Sequence, residues 1–293
     1  MHIVFMSNQL SKRSFLKTSA LAAFAIYIGD ADLFAAPKHS LKQLGLILGV
    51  VEKEMKADWE GTLQQIAAIG YSYIEYSGLY GNTLPVLKKK LKQLGLRSVA
   101  GGSVMVKMQD KNELQKMIEE ALQLEKTYLV CYWPWLDNGT NKKEADFKKC
   151  ADALNIVGEQ CHKAGIRFAM HNHDKEFVQV SEHKTGYDIL LEHTEPALVA
   201  MELDLYWASF AGANPVALMN AHPGRFHLLH IKDMEKTALK RYTCPGDGCI
   251  DFAQIFTAAK KSGVKYYNVE IDQHPRPMDC ITNSYQYLKS LRY

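Results

Sequence analysis

The chain is short of the features that mark most specialised protein classes. Its 35 Lys and Arg against 32 Asp and Glu leave a formal charge of only +3 over 293 residues. The longest basic run is Lys88-Lys89-Lys90, which reads as the solvated face of a helix. Without a basic stripe, nucleic-acid binding has no electrostatic footing. Six cysteines in a chain of this length do not make a small disulfide scaffold, and no C-x-x-C zinc pattern occurs. The first expected strand, Leu44 to Leu48, is followed by Gly49-Val50-Val51-Glu52 rather than a glycine-rich turn, which argues against a dinucleotide-binding open sheet. No internal repeat or low-complexity segment breaks the pattern. The 47% hydrophobic content can fill a large core, so one α/β barrel or two smaller domains fit the length.

The N-terminus differs in character from the rest of the chain. Ser11-Lys12-Arg13-Ser14-Phe15-Leu16-Lys17 precedes the apolar stretch Ala20 to Ile28, which is shorter than a membrane span, and then Leu33-Phe34-Ala35-Ala36. That order predicts an export signal over residues 1–36 and a periplasmic destination, with an uncleaved anchor helix as the alternative. The S-K-R-S-F-L-K order resembles a twin-arginine signal with Lys12 in place of the first arginine. Such cargo travels folded, which suits a protein loaded with metal before export. Once the signal is removed, no stable membrane insertion is expected. Of the cysteines, Cys131, Cys150 and Cys161 read as buried packing residues, whereas Cys244 and Cys249 flank a Pro-Gly-Asp-Gly loop and are candidates to pair in an oxidising compartment.

From residue 40 to 293, short apolar runs alternate with longer amphipathic ones. Strands are expected at 44–48, 71–76, 97–101, 128–133, 166–171, 198–204, 226–231 and 266–271. Helices are expected at 59–69, 84–94, 111–124, 142–163, 186–193, from Pro215, at 251–261 and at 281–291. Eight strands alternating with eight helices, with no break in composition, predict a single-domain (β/α)8 TIM barrel. In such a barrel the active site lies at the C-terminal strand ends.

The polar residues at those ends are Glu75, His171 with His173, Asp204, His230 with Lys232, and Glu270. Residues two apart on a strand share a face, so His171 and His173, and His230 and Lys232, point the same way. A helix cap could account for Asp204 alone, and a buried hydrogen bond for His230 alone. Their joint placement at successive strand ends points to one divalent metal ion. Two imidazoles and two carboxylates suit Mn, Co, Fe, Ni or Zn better than Mg, which prefers an all-oxygen shell.

Several longer motifs surround these residues. Gly70-Tyr71-Ser72-Tyr73-Ile74-Glu75, His171-Asn172-His173-Asp174-Lys175-Glu176-Phe177, Leu203-Asp204-Leu205-Tyr206-Trp207, His230-Ile231-Lys232-Asp233, Gly246-Asp247-Gly248-Cys249-Ile250-Asp251 and Val269-Glu270 resemble those of the xylose isomerase-like sugar isomerase and epimerase barrels. The H-N-H-D-x-E-F run is similar to one branch of that superfamily. The resemblance spans strand two to strand eight and speaks to fold and metal site rather than to substrate. It implies Asp204, His230 and Glu270 as metal ligands, with the fourth from the end of strand five. Many sugar epimerases of the superfamily carry a glutamate there; this chain has His171.

The resemblance implies a divalent-metal-dependent isomerase or epimerase acting on a small sugar or keto-sugar through proton abstraction next to a carbonyl. Glu270 is the first candidate base, Glu176 or His173 the second proton-transfer group, and Lys232 a donor to substrate oxygen. Glu75, Trp133, Trp135 and Trp207 are further candidates to touch substrate, the indoles by stacking on a sugar ring. A metal-bound imidazole has no spare basic nitrogen, so two-base epimerisation is incomplete, and an exported enzyme meets free sugars or glycosides. Elimination of an aglycone from a 3-keto-glycoside is therefore the alternative, and a non-catalytic carbohydrate-binding barrel a third. The abasic-site endonucleases of the superfamily need more histidines than strand three supplies with Gly101-Gly102-Ser103. Oligomeric state is left open.

Overall fold

The computed structural model describes residues 39–76, 78–137 and 142–293. The expected export signal lies outside them. Eight strands close into a barrel: β1 (Gly45–Ile47), β2 (Tyr73–Glu75), β3 (Arg97–Val104), β4 (Tyr128–Trp133), β5 (Arg167–His171), β6 (Val199–Asp204), β7 (Phe226–Ile231) and β8 (Tyr266–Val269). The order is β1-β8-β7-β6-β5-β4-β3-β2 and every neighbouring pair is parallel.

The outer layer is α1 (Trp59–Ile69), α2 (Leu84–Leu94), α3 (Lys111–Gln123), α4 (Glu144–Lys163), α5 (Gly186–His193), α6 (Pro215–Ala221), α7 (Phe252–Ser262) and α8 (Pro277–Ser290). Side-chain oxygens of Asp58, Asp110, Thr185, Asn214 and Asp251 cap the N-termini of α1, α3, α5, α6 and α7. No helix among the described residues is long and apolar enough to cross a membrane.

Period-2 alternation sorts the strand residues. On β4, Leu129 and Cys131 pack with the helices, while Tyr128 and Val130 join Tyr73, Ala169, Ala200 and Leu228 in a separate inner cluster. Continuing each inward row toward the C-terminal end replaces these residues with polar ones: Tyr73 gives way to Glu75, Ala169 to His171, Ala200 to Glu202 and Asp204, and Leu228 to His230. Tyr73 fills the space beside Gly45, where any Cβ would lie 2.1 Å from the Tyr73 ring and 2.2 Å from the Asn268 side chain. β1 therefore contributes no side chain at that level, and its neighbours occupy the room.

Elements not foreseen from periodicity sit in the loops above the barrel. They are helical turns at Leu48–Val51, Glu52–Ala57, Met105–Met108, Lys175–Phe177 and Leu205–Phe210, and two small hairpins, Gln179–Ser181 with Lys184–Thr185 and Asp233–Met234 with Tyr242–Thr243. The disulfide also differs from expectation. Cys244 pairs with Cys280 of α8, with Cα atoms 5.7 Å apart, and Cys249 is an exposed free thiol. Asp233 is the physical reason. Its carboxylate accepts from the N–H groups of Met234, Gly246, Gly248 and Ile250 at 2.8–3.0 Å, so the loop wraps around it. Cys249 is thereby carried to the Met234 side, where its N–H donates to the Met234 carbonyl, away from Cys244. Gly248 permits the wrap, since a Cβ there would meet Asp233 Oδ1 at 2.2 Å.

Candidate metal centre and active site

The ladder brings the strand ends together. Asp204 is in register with His230, His230 with Asn268, and His171 with Glu202. Ligand-type atoms of His171, Asp204 and His230 lie within 4.8 Å of one another. Glu270 follows directly on β8, with Oε2 4.0 Å from His230 Nδ1. His171, Asp204 and His230 are almost wholly buried, and the Glu270 side chain is 13% exposed, the most open of the four.

Each donor atom is aimed by a second group. His171 Nδ1 donates to Glu202 Oε2 at 3.1 Å, leaving Nε2 for the centre. His230 Nε2 lies 3.2 Å from Glu75 Oε2 and 3.3 Å from Glu202 Oε2, leaving Nδ1 for the centre. Asp204 serves twice. Its Oδ1 accepts from the Trp207 N–H at 2.8 Å and caps the 205–210 helix, while Oδ2 has no protein partner. Asn172 bonds the Asp204 backbone through both its amide oxygen and its amide nitrogen, fixing that strand end.

Asp204 Oδ2 and His230 Nδ1 are buried without a hydrogen-bond partner, and Glu270 Oε2 meets only the Lys232 ammonium at 3.2 Å. A buried unpaired polar atom costs about 1–3 kcal/mol, so two at one mouth are a penalty that a cation meeting them would relieve. Oxygen and imidazole donors in this number suit a borderline divalent ion, and the residues present fit one.

The electrostatics agree. Burial, together with Glu270 alongside, pushes the Asp204 carboxyl well above the usual range. Burial also opposes ionisation of Glu270, but Lys232 and His230 prevail and hold it down at about 2. Burial lowers His171 to about 3, so it stays neutral. Burial disfavours charge on His230 as well, yet Glu202 and Glu75 hold it well above its ordinary value.

Lys232 is fully buried beside the cluster. Its Nζ is 2.6 Å from Asp272 Oδ2 and 3.2 Å from Glu270 Oε2, and the rings of Tyr206, Trp207 and Tyr242 surround it at 4.8–5.4 Å. Burial would lower this ammonium, but Glu270, Asp204 and Asp272 more than offset it, so Lys232 remains charged. On the β5 side, the His173 ring meets Trp133 at 5.2 Å, Trp207 at 5.6 Å and His171 at 4.9 Å, with its Nδ1 unpaired. Burial and His171 lower His173 to about 3.

Three expected site residues stand elsewhere. Glu75 is fully buried beneath the cluster and accepts from Tyr132, His230 and Asn268, so it supports the imidazole rather than meeting a substrate. Glu176 turns behind the strand end. Its Oε2 accepts from the His173 N–H at 2.6 Å, and its charge is felt by Cys131, Cys150 and Tyr187 in the helix layer, so it shapes the His173 loop instead of facing the mouth. Trp135, just past Pro134 and the end of β4, is buried against Phe147 of α4 and does not face the mouth.

Strand-end reasoning misses Glu202 and Asp272. Glu202 lies two residues before Asp204 on an inward row, so alternation alone places it. Asp272 lies in the loop past β8, where no periodicity applies.

Known proteins share this architecture. A family model described as "Xylose isomerase-like TIM barrel" matches residues 63–291. An inosose dehydratase of Geobacillus kaustophilus is 27% identical over 265 residues, covering 78% of this chain and 83% of the relative. Among solved structures, a sugar phosphate isomerase/epimerase from Parabacteroides distasonis superposes with a TM-score of 0.70 at 25% identity, covering 88% of this chain and 96% of that one. An IolI protein with a bound zinc atom superposes at 0.66 and 20% identity, covering 85% and 95%. The match over most of the barrel is decisive: this chain belongs to the xylose isomerase-like TIM barrel family.

Proposed function

We propose that the chain is a divalent-metal-dependent enzyme that removes a proton from the carbon next to a carbonyl of a sugar or keto-sugar, leading to isomerisation or epimerisation. The observation that carries this reading is the convergence of four metal-type side chains, His171, Asp204, His230 and Glu270, with Asp204 Oδ2 and His230 Nδ1 left without a hydrogen-bond partner. These four residues would hold the ion. When bound there, a divalent cation acts as a Lewis acid toward a carbonyl and its neighbouring hydroxyl.

The remaining work falls to the chain's own groups. Glu270 is ionised and the most open of the four, so it takes the proton. Lys232 stands beside it as a fixed ammonium donor to a substrate oxygen. His173, on the other wall, is neutral with a free Nδ1 and can accept a hydrogen bond from a substrate hydroxyl. Trp133 and Trp207 flank His173 and offer ring faces to the apolar side of a sugar. The Lys232 charge is already engaged by Asp272 and Glu270, which supports an unphosphorylated substrate. That in turn suits the export proposed from residues 1–36.

A second reading, elimination from a keto-sugar or 3-keto-glycoside, is favoured by the position of Lys232. Its ammonium is 3.2 Å from Glu270 Oε2, so one face of the substrate meets both a base and an acid. The dehydratase name of one relative points the same way.

The test is incubation of the metal-loaded protein with keto-sugars, keto-polyols and a 3-keto-glucoside in deuterated water, followed by NMR. Deuterium next to the carbonyl with the carbon skeleton and all oxygens retained supports isomerisation or epimerisation. Release of water or aglycone supports elimination. Glu270→Gln should abolish either. Binding without any exchange or turnover across the panel would leave a carbohydrate-binding barrel and defeat both enzymatic readings.

A further inference from the structure

Away from the barrel mouth, Cys244, His274 and Cys280 form a second group of metal-type donors, with one atom from each within 4.8 Å of the others. They come from three segments. Cys244 follows the 242–243 strand, His274 lies in the loop after β8, and Cys280 is in the first turn of α8. Both sulfurs are almost fully buried, and His274 Nδ1 accepts from the Arg276 N–H at 3.1 Å, a bond the ring gives up when either of its nitrogens binds a metal. In the oxidised protein the two sulfurs are bonded to each other. Nothing in the central site's chemistry uses this group.

We propose that, once reduced, Cys244, Cys280 and His274 bind a second metal ion, a thiophilic divalent cation of the Zn2+ class. Two thiolates and one imidazole, with water in the fourth position, are a donor set this class favours. Metal–sulfur bonds of ~2.3 Å and a metal–nitrogen bond of ~2.1 Å place tetrahedral donors roughly 3.5–3.8 Å apart. The Cα separation of 5.7 Å allows the sulfurs to open to that distance by side-chain rotation, and the histidine nitrogen already lies within reach. In the reducing step the disulfide takes up two electrons and two protons. A phosphine reductant supplies the electrons and becomes its oxide with an oxygen from water. Metal binding then releases the two thiol protons.

The site has a consequence for the mouth. Tyr242, two residues before Cys244, covers Lys232 at 5.2 Å, and Asp272, two residues before His274, pairs with it at 2.6 Å. The disulfide ties these two loops together in the oxidised protein, and the metal ties the same loops in the reduced one. Lys232 keeps its surroundings in either state.

The test uses the full chain, stripped of metal by a chelator and titrated anaerobically with Co2+, with and without phosphine. The reduced protein should take up one more equivalent than the oxidised protein and develop a thiolate-to-cobalt charge-transfer band that Zn2+ then bleaches. The central site, built from nitrogen and oxygen donors, cannot produce that band. Cys280→Ser should abolish it, and Cys249→Ser should leave it unchanged. His274→Ala keeps both sulfurs, so it serves where Cys280→Ser fails to fold, and it should weaken Co2+ binding at the band-forming site by at least about tenfold. Equal stoichiometry in the two redox states, absence of the band in the reduced parent, or a band that survives Cys280→Ser would overturn the proposal.

Discussion

Glu202 offers the sharpest perturbation of the central site, because one of its oxygens reaches both imidazoles. Oε2 is 3.1 Å from His171 Nδ1 and 3.3 Å from His230 Nε2, and Oε1 has no partner. In Glu202→Gln the amide oxygen can occupy the Oε2 position and keep both contacts, but without the carboxylate's charge, and the amide nitrogen is left unpaired. The imidazoles lose the charge that raises their basicity toward a cation. Changes of this kind cost about 10- to 100-fold in metal affinity, equivalent to about 1.4–2.8 kcal/mol. His171 should suffer more than His230, since His230 keeps Glu75 at 3.2 Å. The metal-free fold should not weaken in parallel, because Glu202 is one of the causes that make ionisation of the buried Glu75 unfavourable. The assay pairs calorimetric titration of the stripped protein with Zn2+ or Mn2+ and urea unfolding with and without metal. The expected pattern is unchanged metal-free stability with a smaller gain on adding metal. A metal affinity within about twofold of the parent would refute the claim that Glu202 aims the ligands.

Three further outcomes rest on the same geometry. Burial holds the Glu176 carboxyl at about 7 rather than 4.5, so its contribution to stability is complete below pH 4.5 and is lost as pH rises through 7, at a cost of about 3 kcal/mol. Glu176→Gln keeps an acceptor for the His173 N–H and should flatten chemical unfolding profiles across that window relative to the parent, with chelator present; parallel profiles would contradict it. Asp233→Asn replaces one of two oxygens that each accept two N–H groups, so it should cost about 1.5–3 kcal/mol and speed hydrogen exchange at Gly246 and Gly248 or at Met234 and Ile250. Exchange unchanged at all four amides would refute the clamp. Metal binding should release protons, because Asp204 and His230 both hold protons more tightly than usual in the metal-free state. Affinity should therefore rise with pH, and the calorimetric heat should change with buffer ionisation enthalpy; a pH-independent affinity would contradict this.

Much of the barrel is legible in the sequence because its two periodicities are clean. β4 and β7 and helices α1, α2 and α5 fall on the residues expected from apolar spacing, and the other strands differ by one to three residues at an end. The metal-centre candidates are legible for the same reason, since an inward row that ends in a polar residue must place it at the mouth. The omissions have an equally physical origin. A strand end singles out only the last residue of its inward row, so Glu202, one step lower on the row of Asp204, does not stand out. Asp272 and the Cys244–Cys280 pair depend on how loops fold over the mouth, and a separation of 36 residues leaves no local trace of the bond. Glu176 misleads because a charged residue near two histidines is easily assigned to their site, whereas the three-residue 3-10 turn at 175–177 rotates it to the opposite side.

The motifs divide by task, and the division explains why each is longer than the ligand it contains. In H-N-H-D-x-E-F, His171 faces the centre, Asn172 binds the Asp204 backbone, His173 lines the wall, and Glu176 holds the His173 N–H. In H-x-K-D, His230 faces the centre and Lys232 stands at the edge, while Asp233 turns away to gather the loop that carries Cys244. Asp272 and Tyr242 then meet at Lys232 from two loops that the Cys244–Cys280 bond holds together. Lys232 is thus the point where the ligand shell, the wrapped loop and the crosslink converge. Its ammonium touches Glu270 and Asp272 directly and acts on Asp204 electrostatically, while the proton that His230 holds adds a second positive charge 4.0 Å from Glu270. In the metal-free state the site therefore balances its charge with protons, on His230 and on the raised Asp204 carboxyl, whose Oδ2 has no partner. A divalent ion at Asp204 Oδ2 and His230 Nδ1 would take the place of those protons and leave Lys232 paired with Glu270.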